Sequence, residues 1–166
     1  MRDSDQRRKL FEKACKDIMD ALEVEVEEMR NFDSPNLRDD YDKIHARLLF
    51  LTSTEVGLSH YYRQALAIKH EVEVERDRAR NNLEDAKMEV ANKPTFRGLT
   101  TQYQSRPEIE AKLRSLTYEE NYELTQWSQL FTDVQYLLDV VKSYQLDANK
   151  QRRDIDTRLK IFSLQL

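Results

Sequence analysis

The chain has 166 residues, of which two are glycine and three are proline, and its formal net charge is -4. Sheet-based folds need glycine for the positive φ angles of their tight turns, so this scarcity excludes all-β and α/β folds. The charge excludes a uniformly basic, histone-like binder, and 35% charged with 39% hydrophobic residues predicts an all-α chain whose helices each bury one narrow apolar stripe.

Signals for membranes, secretion and disulfides are missing from the sequence. No apolar run approaches the roughly 18 residues of a membrane span, and residues 1–9 lack the apolar stretch of a signal peptide. The one cysteine, Cys15, cannot form an internal disulfide. We therefore predict a cytoplasmic protein without a membrane partner.

The first predicted helix covers residues 1–31, as an N-terminal extension of one helical domain over residues 1–166. It begins near Ser4, whose side chain suits an N-cap, and ends near Arg30. Apolar residues recur in it at spacings of three, four and seven, and the outward positions are charged. These apolar residues are Leu10, Ala14, Ile18, Ala21 or Leu22, and Met29.

The second predicted helix is long and covers residues 35–92. Ser34 before Pro35 marks its start, because proline loses no hydrogen bond at the first helical position. Counting alternately four and three residues along it gives a stripe typical of a coiled-coil seam. The stripe is apolar or tyrosine except at Glu55, Lys69 and Arg76.

The sequence does not decide whether this helix has a kink or a short interruption near residues 52–57. Thr52 and Glu55 have the spacing of a capping box, and Gly57 lies just beyond them. Without a break, the helix would reach about 85 Å, which is longer than a compact domain of this size.

A basic loop and a short helix are predicted over residues 93–116. Pro94 ends the long helix, and Pro107 opens the short one. The last helix follows over residues 117–164, with a capping-box pattern at Thr117. Its second half is thinner in apolar residues and basic.

The two long helices are predicted to form an antiparallel hairpin, coiled-coil-like, with the short helix in the connection. Two stripes alone leave much of residues 118–141 uncovered, and self-association is the natural cover. We therefore predict an oligomer. The apolar side chains in this stretch include Trp127, Phe131 and Val134.

Catalytic motifs are missing from the sequence. It has no P-loop, dinucleotide-binding, zinc-protease or nucleophile-elbow pattern. The three histidines lack the Glu-x-x-His pairs that build di-iron sites in helical bundles, so a bundle metalloenzyme has no ligands. We predict no enzymatic activity and no cofactor, and surface or bundle positions for His45, His60 and His70.

Local charge points to two candidate contacts with nucleic acid. Residues 93–115 carry five bases and two acids, net +3, with Phe96 and Tyr103 interleaved. Cations that track phosphates beside aromatic rings that stack on bases are typical of single-strand binding, although a solvated loop with anchoring aromatics explains the same pattern. The second candidate, residues 76–80, has three arginines among acids, so intrahelical salt bridges explain it equally well.

The order of several short matches resembles the UvsY-type recombination mediators of T-even-like phages, over residues 33–161. The matches are Asp33-Ser34 with Leu37, Ile68-Lys69-His70-Glu71, an irregular loop, Glu108-Ile109 with Leu113, Trp127, and Leu138-Asp139-Val140-Val141-Lys142-Ser143. The resemblance implies an all-helical ring of about six or more copies that binds single-stranded DNA. It also implies displacement of single-strand-binding protein, loading of a RecA-like recombinase, and a bacterial host cytoplasm.

The resemblance suggests where oligomerisation and DNA contacts would lie. The family's Lys-x-Arg-Leu motif would fall near residues 83–88, where this chain has Glu84 and Asp85 and keeps Lys87. DNA-binding candidates are therefore placed by local charge, and the oligomerisation seam continues from Trp127, Phe131 and Val134 into the second half of the last helix. The DNA-binding candidates are Arg76, Arg78, Arg80, Lys87, Lys93, Arg97 and Arg106, and the seam adds Leu138, Val141, Ile155, Leu159 and Phe162.

An alternative reading is a coiled-coil structural or adaptor protein without a nucleic-acid role. The heptad stripes and the negative net charge favour it. That reading predicts a stable oligomer that is indifferent to DNA.

Overall fold

The computed structural model describes residues 2–31, 41–96 and 105–164, and the regular structure in these ranges is helical throughout. The prediction of an all-α chain with two long helices and a short helix between them is confirmed. Residues 94–96 add a further helical turn. The helices are α1, Arg2–Asn31; α2, Tyr41–Asn92; α3, Arg106–Leu116; and α4, Tyr118–Leu164.

Local sequence signals set the start of α3. The backbone N–H of Ser105 donates to a carboxylate oxygen of Glu108 at 2.7 Å, and the Ser105 hydroxyl donates to the same oxygen at 2.9 Å. These two hydrogen bonds hold the pKa of Glu108 below its ordinary value. Pro107 lies in the first turn, as predicted. The predicted helix start at Pro35 lies outside the described residues.

α2 continues without a break through residues 52–57. The Thr52 hydroxyl donates to the carbonyl of Leu48 at 2.9 Å, and the Thr54 hydroxyl donates to the carbonyl of Phe50 at 3.1 Å. Both hydroxyls therefore bond back four residues on their own helix and do not cap a new one. The short interruption that the sequence left open does not occur.

The chain divides into two compact units. Unit 1 comprises Met1–Arg8 and Lys69–Asp133, and unit 2 comprises Lys9–Ile68 and Val134–Leu166. Each unit takes one segment from α1, one from α2 and one from α4. In unit 2, α1 adds a third apolar stripe to the two that the sequence predicted.

Unit 2 has a three-helix core. α2 and α4 run antiparallel in it, because Glu55 pairs with Arg152 at 3.0 Å and Ser59 accepts a hydrogen bond from Gln145 at 3.4 Å. α1 supplies the third stripe, so the segment treated as an extension is part of the core. The buried side chains are Ile18, Leu22 and Met29 of α1, Ile44, Leu51, Leu58 and Ala65 of α2, and Leu137, Leu138, Val141, Ala148 and Ile155 of α4.

Unit 1 ties the start of α1 to α2 and α4 through polar contacts. Arg7 pairs with Glu75 of α2 at 2.9 Å. The indole N–H of the buried Trp127 donates to the Ser4 hydroxyl at 3.2 Å, and that hydroxyl donates to the Glu123 carboxylate. Ser4 is therefore a bridge between helices, and the N-cap role expected for it is wrong because α1 begins before it.

Candidate nucleic-acid interface

Arg76, the first DNA-binding candidate, lies against α4 in unit 1. Its guanidinium stands 4.1 Å from the centre of the Phe131 ring, and the Lys69 ammonium is 5.5 Å from the same centre. The Arg76 side chain is only 18% exposed and pairs with Asp77 at 3.2 Å. The two cations that interrupt the apolar stripe of α2 are thus cation–π partners of one ring. Arg76 is mainly an internal contact.

We expect Arg76→Ala to lower the free energy of unfolding by about 1 kcal/mol, because a partly buried guanidinium leaves the Phe131 ring face. Urea unfolding followed by circular dichroism measures this. Arg80→Ala is the matched control, since the Arg80 side chain is 54% exposed and a surface change there costs less than about 0.5 kcal/mol. Equal midpoints for the two variants would contradict the packing role of Arg76.

Arg78 shares a carboxylate with α1. Its guanidinium contacts both oxygens of Glu75, at 3.0 and 2.9 Å, while Arg7 contacts one of them at 2.9 Å. The Glu75 side chain is 11% exposed and that of Arg78 is 58% exposed. Two arginines therefore neutralise one nearly buried acid, and this cluster carries one net positive charge.

Three of the other candidates, Arg80, Lys93 and Arg106, are exposed and paired with a carboxylate three or four residues away. Arg80 lies 3.7 Å from Asp77. Lys93 lies 3.6 Å from a carboxylate four residues before it, and Arg106 lies 3.3 Å from one four residues after it. Lys87 is half-buried, and Arg97 lies outside the described residues.

The candidates do not form one continuous basic patch on α2. Arg80 and Lys87 are seven residues apart and share a helix face, whereas Arg78, two residues from Arg80, lies on another face. Residues 71–80 contain four acids and three arginines, one negative charge net. Binding to phosphate would rely on separate exposed cations rather than on a dense positive surface.

The predicted oligomerisation residues are mostly buried within the chain. The expectation that residues 118–141 lack cover in one chain is wrong for Trp127 and Val134, which are 1% and 0% exposed. α1, for which the sequence predicted no partner, contributes a segment to each unit. Self-association through these residues stays a prediction. Leu138, Val141 and Ile155 are also buried, Phe131 and Leu159 are half-buried, and the side chain of Phe162 lies outside the description.

Sequence reasoning missed two polar features that join helices. One is the Arg7–Glu75 pair with the Ser4 bridge in unit 1. The other is in unit 2, where Glu25 of α1 lies against Gly57 of α2. Glu25 follows Leu22 by three residues, so an acid on the apolar face of α1 was the available signal.

No metal site or membrane span is found in the described residues. No group of three or more His, Cys, Asp or Glu side chains there could hold a metal ion. Among the same residues, no helix combines the length and apolarity needed to cross a bilayer. His45, His60 and His70 are exposed, which confirms surface positions for them.

Comparison with known proteins finds no matching family model, no matching curated protein and no matching solved structure.

Proposed function

We propose that this chain is a non-enzymatic accessory protein of recombination that binds single-stranded DNA without sequence preference. It would assemble as a ring of copies and help load a RecA-like recombinase onto strands coated with single-strand-binding protein. The order of sequence matches over residues 33–161 and the exposed cations of unit 1 support this proposal.

The observation that carries the DNA-binding step is the exposure of four cations in unit 1. Their carboxylate partners compete only weakly with a DNA phosphate for these cations. Exposed pairs at helical spacings of three or four contribute only about 0.3–0.5 kcal/mol and are screened by salt. A phosphate can therefore replace such a carboxylate at little cost. The exposed fractions are 58% for Arg78, 54% for Arg80, 56% for Lys93 and 91% for Arg106.

Arg78 differs from the other three cations because it shares a nearly buried carboxylate with a second arginine. Its partner Glu75 is nearly buried, and leaving a buried carboxylate without a cation is costly. Arg7 stays on Glu75 at 2.9 Å when Arg78 turns to a phosphate. The exchange therefore leaves no buried charge unpaired.

Several copies are needed for useful affinity in this proposal. Each chain offers a few separated cations, and each phosphate contact is individually weak. When several copies in one assembly bind the same strand, the first contact raises the effective concentration of the strand at the other copies, and the overall affinity increases. The resemblance to a ring-forming family agrees with this requirement.

Removing Arg78 and Arg80 together tests the assignment. We expect the double change to alanine to weaken binding of a fluorescent oligo-dT strand and to reduce the slope of log affinity against log salt by about 1.4, or about 0.7 for each lost contact. Fluorescence anisotropy at several salt concentrations measures the slope. Arg63→Ala, at an exposed position in unit 2, is the control and should leave the slope unchanged.

Two outcomes would count against this proposal. An unchanged slope in the double variant would exclude Arg78 and Arg80 as contacts. No binding of the unaltered protein to single strands at low salt would reject DNA binding itself.

A second candidate function is a helical adaptor that binds another protein. The observation favouring it is an exposed aromatic pair at the start of α4. Tyr118 and Tyr122 are 67% and 48% exposed, and their rings stack with centres 6.3 Å apart. Exposed tyrosines are common at protein interfaces. If the chain is such an adaptor, titration of the protein into the oligo-dT strand at low salt will show no binding.

A further inference from the structure

We propose that Glu25 makes the docking of α1 in unit 2 sensitive to pH, because its carboxyl lies in the contact between α1 and α2. α1 is held more firmly on α2 when this carboxyl is protonated than when it is ionised. The proposal concerns unit 2 alone and does not rest on DNA binding.

Glu25 lies on the face of α1 that packs into the core of unit 2. It follows Leu22 by three residues and precedes Met29 by four, and these two side chains are 1% and 2% exposed. Residues at such spacings share one face of a helix. Glu23 and Glu27, by contrast, are exposed. Of these three acids, Glu25 is therefore the one that α1 carries into the interface.

A glycine on α2 makes room for the Glu25 side chain. The two carboxylate oxygens lie 2.8 and 3.0 Å from the position that a Cβ on Gly57 would occupy. Gly57 is an interior residue of α2, where glycine is less favourable than alanine. A methyl group at this position would displace the carboxylate. The absence of a side chain thus allows the Glu25 carboxyl to lie close against α2.

The hydrogen bonding of this carboxylate is incomplete. The hydroxyl of Tyr61, one turn after Gly57 on α2, donates a hydrogen bond to it. The Oε2 atom of Glu25 is buried and has no hydrogen-bond partner within the described structure. Removing an ionised carboxylate from water without replacing its hydrogen bonds is costly. The neutral carboxyl carries no charge to desolvate, so the docked geometry suits the protonated form better.

The groups that face Glu25 set the direction of the pH effect. Burial is the largest cause and raises the pKa of Glu25 above 4.5, the hydrogen bond from Tyr61 on α2 lowers it without cancelling the rise, and the charge of Glu28 on α1 raises it further. Burial and the Glu25 charge also raise the pKa of Tyr61, so its hydroxyl remains a donor at neutral pH.

The sign of the stability change follows from this raised pKa. A group whose pKa is higher in the folded chain binds its proton more tightly there than in the unfolded chain. The stability that protonated Glu25 contributes is therefore fully present below pH 4.5, its ordinary pKa. It is lost as the pH rises through the raised pKa.

A groove between α1 and α2 borders the same contact. It has a volume of about 460 Å³ and is lined by Ala14 and Ile18 of α1 and by Tyr61 and Ile68 of α2. Local opening is easiest where few apolar contacts hold a segment. This part of α1 is therefore where a change of charge at Glu25 should have the largest effect.

Two measurements on the full chain test the proposal. Carbon-13 NMR titration of the carboxyl groups gives the Glu25 midpoint directly, and we expect a midpoint above 4.5. Hydrogen exchange, corrected for its intrinsic pH dependence, gives the protection of α1 amides near Leu22. Between about pH 4 and about pH 8, this protection should fall further in the unaltered protein than in Glu25→Gln. The extra fold-loss should equal the ratio of the ordinary acid dissociation constant to that measured for Glu25.

Glu23→Gln is the matched control for the exchange measurement. It makes the same substitution at an exposed position of α1, so it should keep the full pH dependence of the unaltered protein. Glu25→Gln should lose the Glu25 share of this dependence, because a side-chain amide does not titrate in this range.

Either of two results would overturn the proposal. One is a Glu25 midpoint at or below 4.5 in the unaltered protein. The other is a fall in α1 protection that is the same in Glu25→Gln as in Glu23→Gln. If a variant fails to fold, the carboxyl titration of the unaltered protein decides alone.

Discussion

Replacing Trp127 by alanine is expected to lower the free energy of unfolding by about 3–5 kcal/mol, because it removes a large buried aromatic side chain and leaves a cavity. Trp127 is 1% exposed, and its indole N–H donates to Ser4 at 3.2 Å. The loss also leaves the Ser4 hydroxyl without this donor. Denaturant unfolding followed by far-ultraviolet circular dichroism measures the change.

A companion variant separates volume from hydrogen bonding at this position. Trp127→Phe keeps most of the apolar volume and removes the indole N–H, so its cost should fall well below that of alanine. Tyr136→Ala, on the same helix but 65% exposed, should change stability by less than about 0.5 kcal/mol. Similar effects of Trp127→Ala and Tyr136→Ala would contradict the burial of Trp127.

Replacing Val141 by aspartate is expected to unfold unit 2 at neutral pH. Val141 is 0% exposed in the three-helix core, and burying a carboxylate there without a partner costs more than about 3 kcal/mol. Circular dichroism would show this as a melting temperature lower than that of the unaltered protein. Protonation at acid pH should restore part of the lost stability, because the neutral acid is cheaper to bury.

The same variant distinguishes an internal position from a surface seam. If Val141 lay on an oligomer surface, aspartate would lower the particle mass and leave the helical content and melting temperature almost unchanged. Leu146→Asp is the control, since Leu146 lies five residues later on the same helix and is 70% exposed. Equal melting temperatures for the two aspartate variants would contradict the internal assignment.

Helical content and chain order were predictable from the sequence because they depend on local signals. The scarcity of glycine excludes sheets, and Pro107 with Glu108 opens α3 where proline and an acidic side chain are preferred. The antiparallel pairing of α2 and α4 was predictable from two long apolar stripes joined by a loop and a short helix. These features need only spacing and turn chemistry.

The place of α1 was not predictable in the same way. Its apolar spacing was visible at Ile18 and Leu22, but a stripe does not say which other stripe covers it. Leu10 belongs to the same spacing and is 67% exposed, so periodicity alone overstated the buried face. Counting α1 as an extension made self-association seem necessary for cover that α1 supplies.

The candidate DNA-binding residues show a similar limit. Local charge located Arg76 and Arg78 correctly as cations of α2 but could not distinguish their surroundings. Arg76 packs on Phe131 across the helix pair, and Arg78 shares Glu75 with α1. Both relations join segments far apart in sequence. Arg80, exposed and paired with Asp77 within one turn, fits a purely local description, as do Lys93 and Arg106.

The particle mass measured with and without a strand shows whether this chain binds single-stranded DNA, as we propose. Light scattering of the full chain at low salt, on its own and with an oligo-dT strand, gives both masses in one experiment. We predict a heavier species that contains several copies of the chain and carries nucleic-acid absorbance, and that dissociates as salt is raised. An unchanged protein mass, with the strand eluting separately at low salt, would contradict the claim.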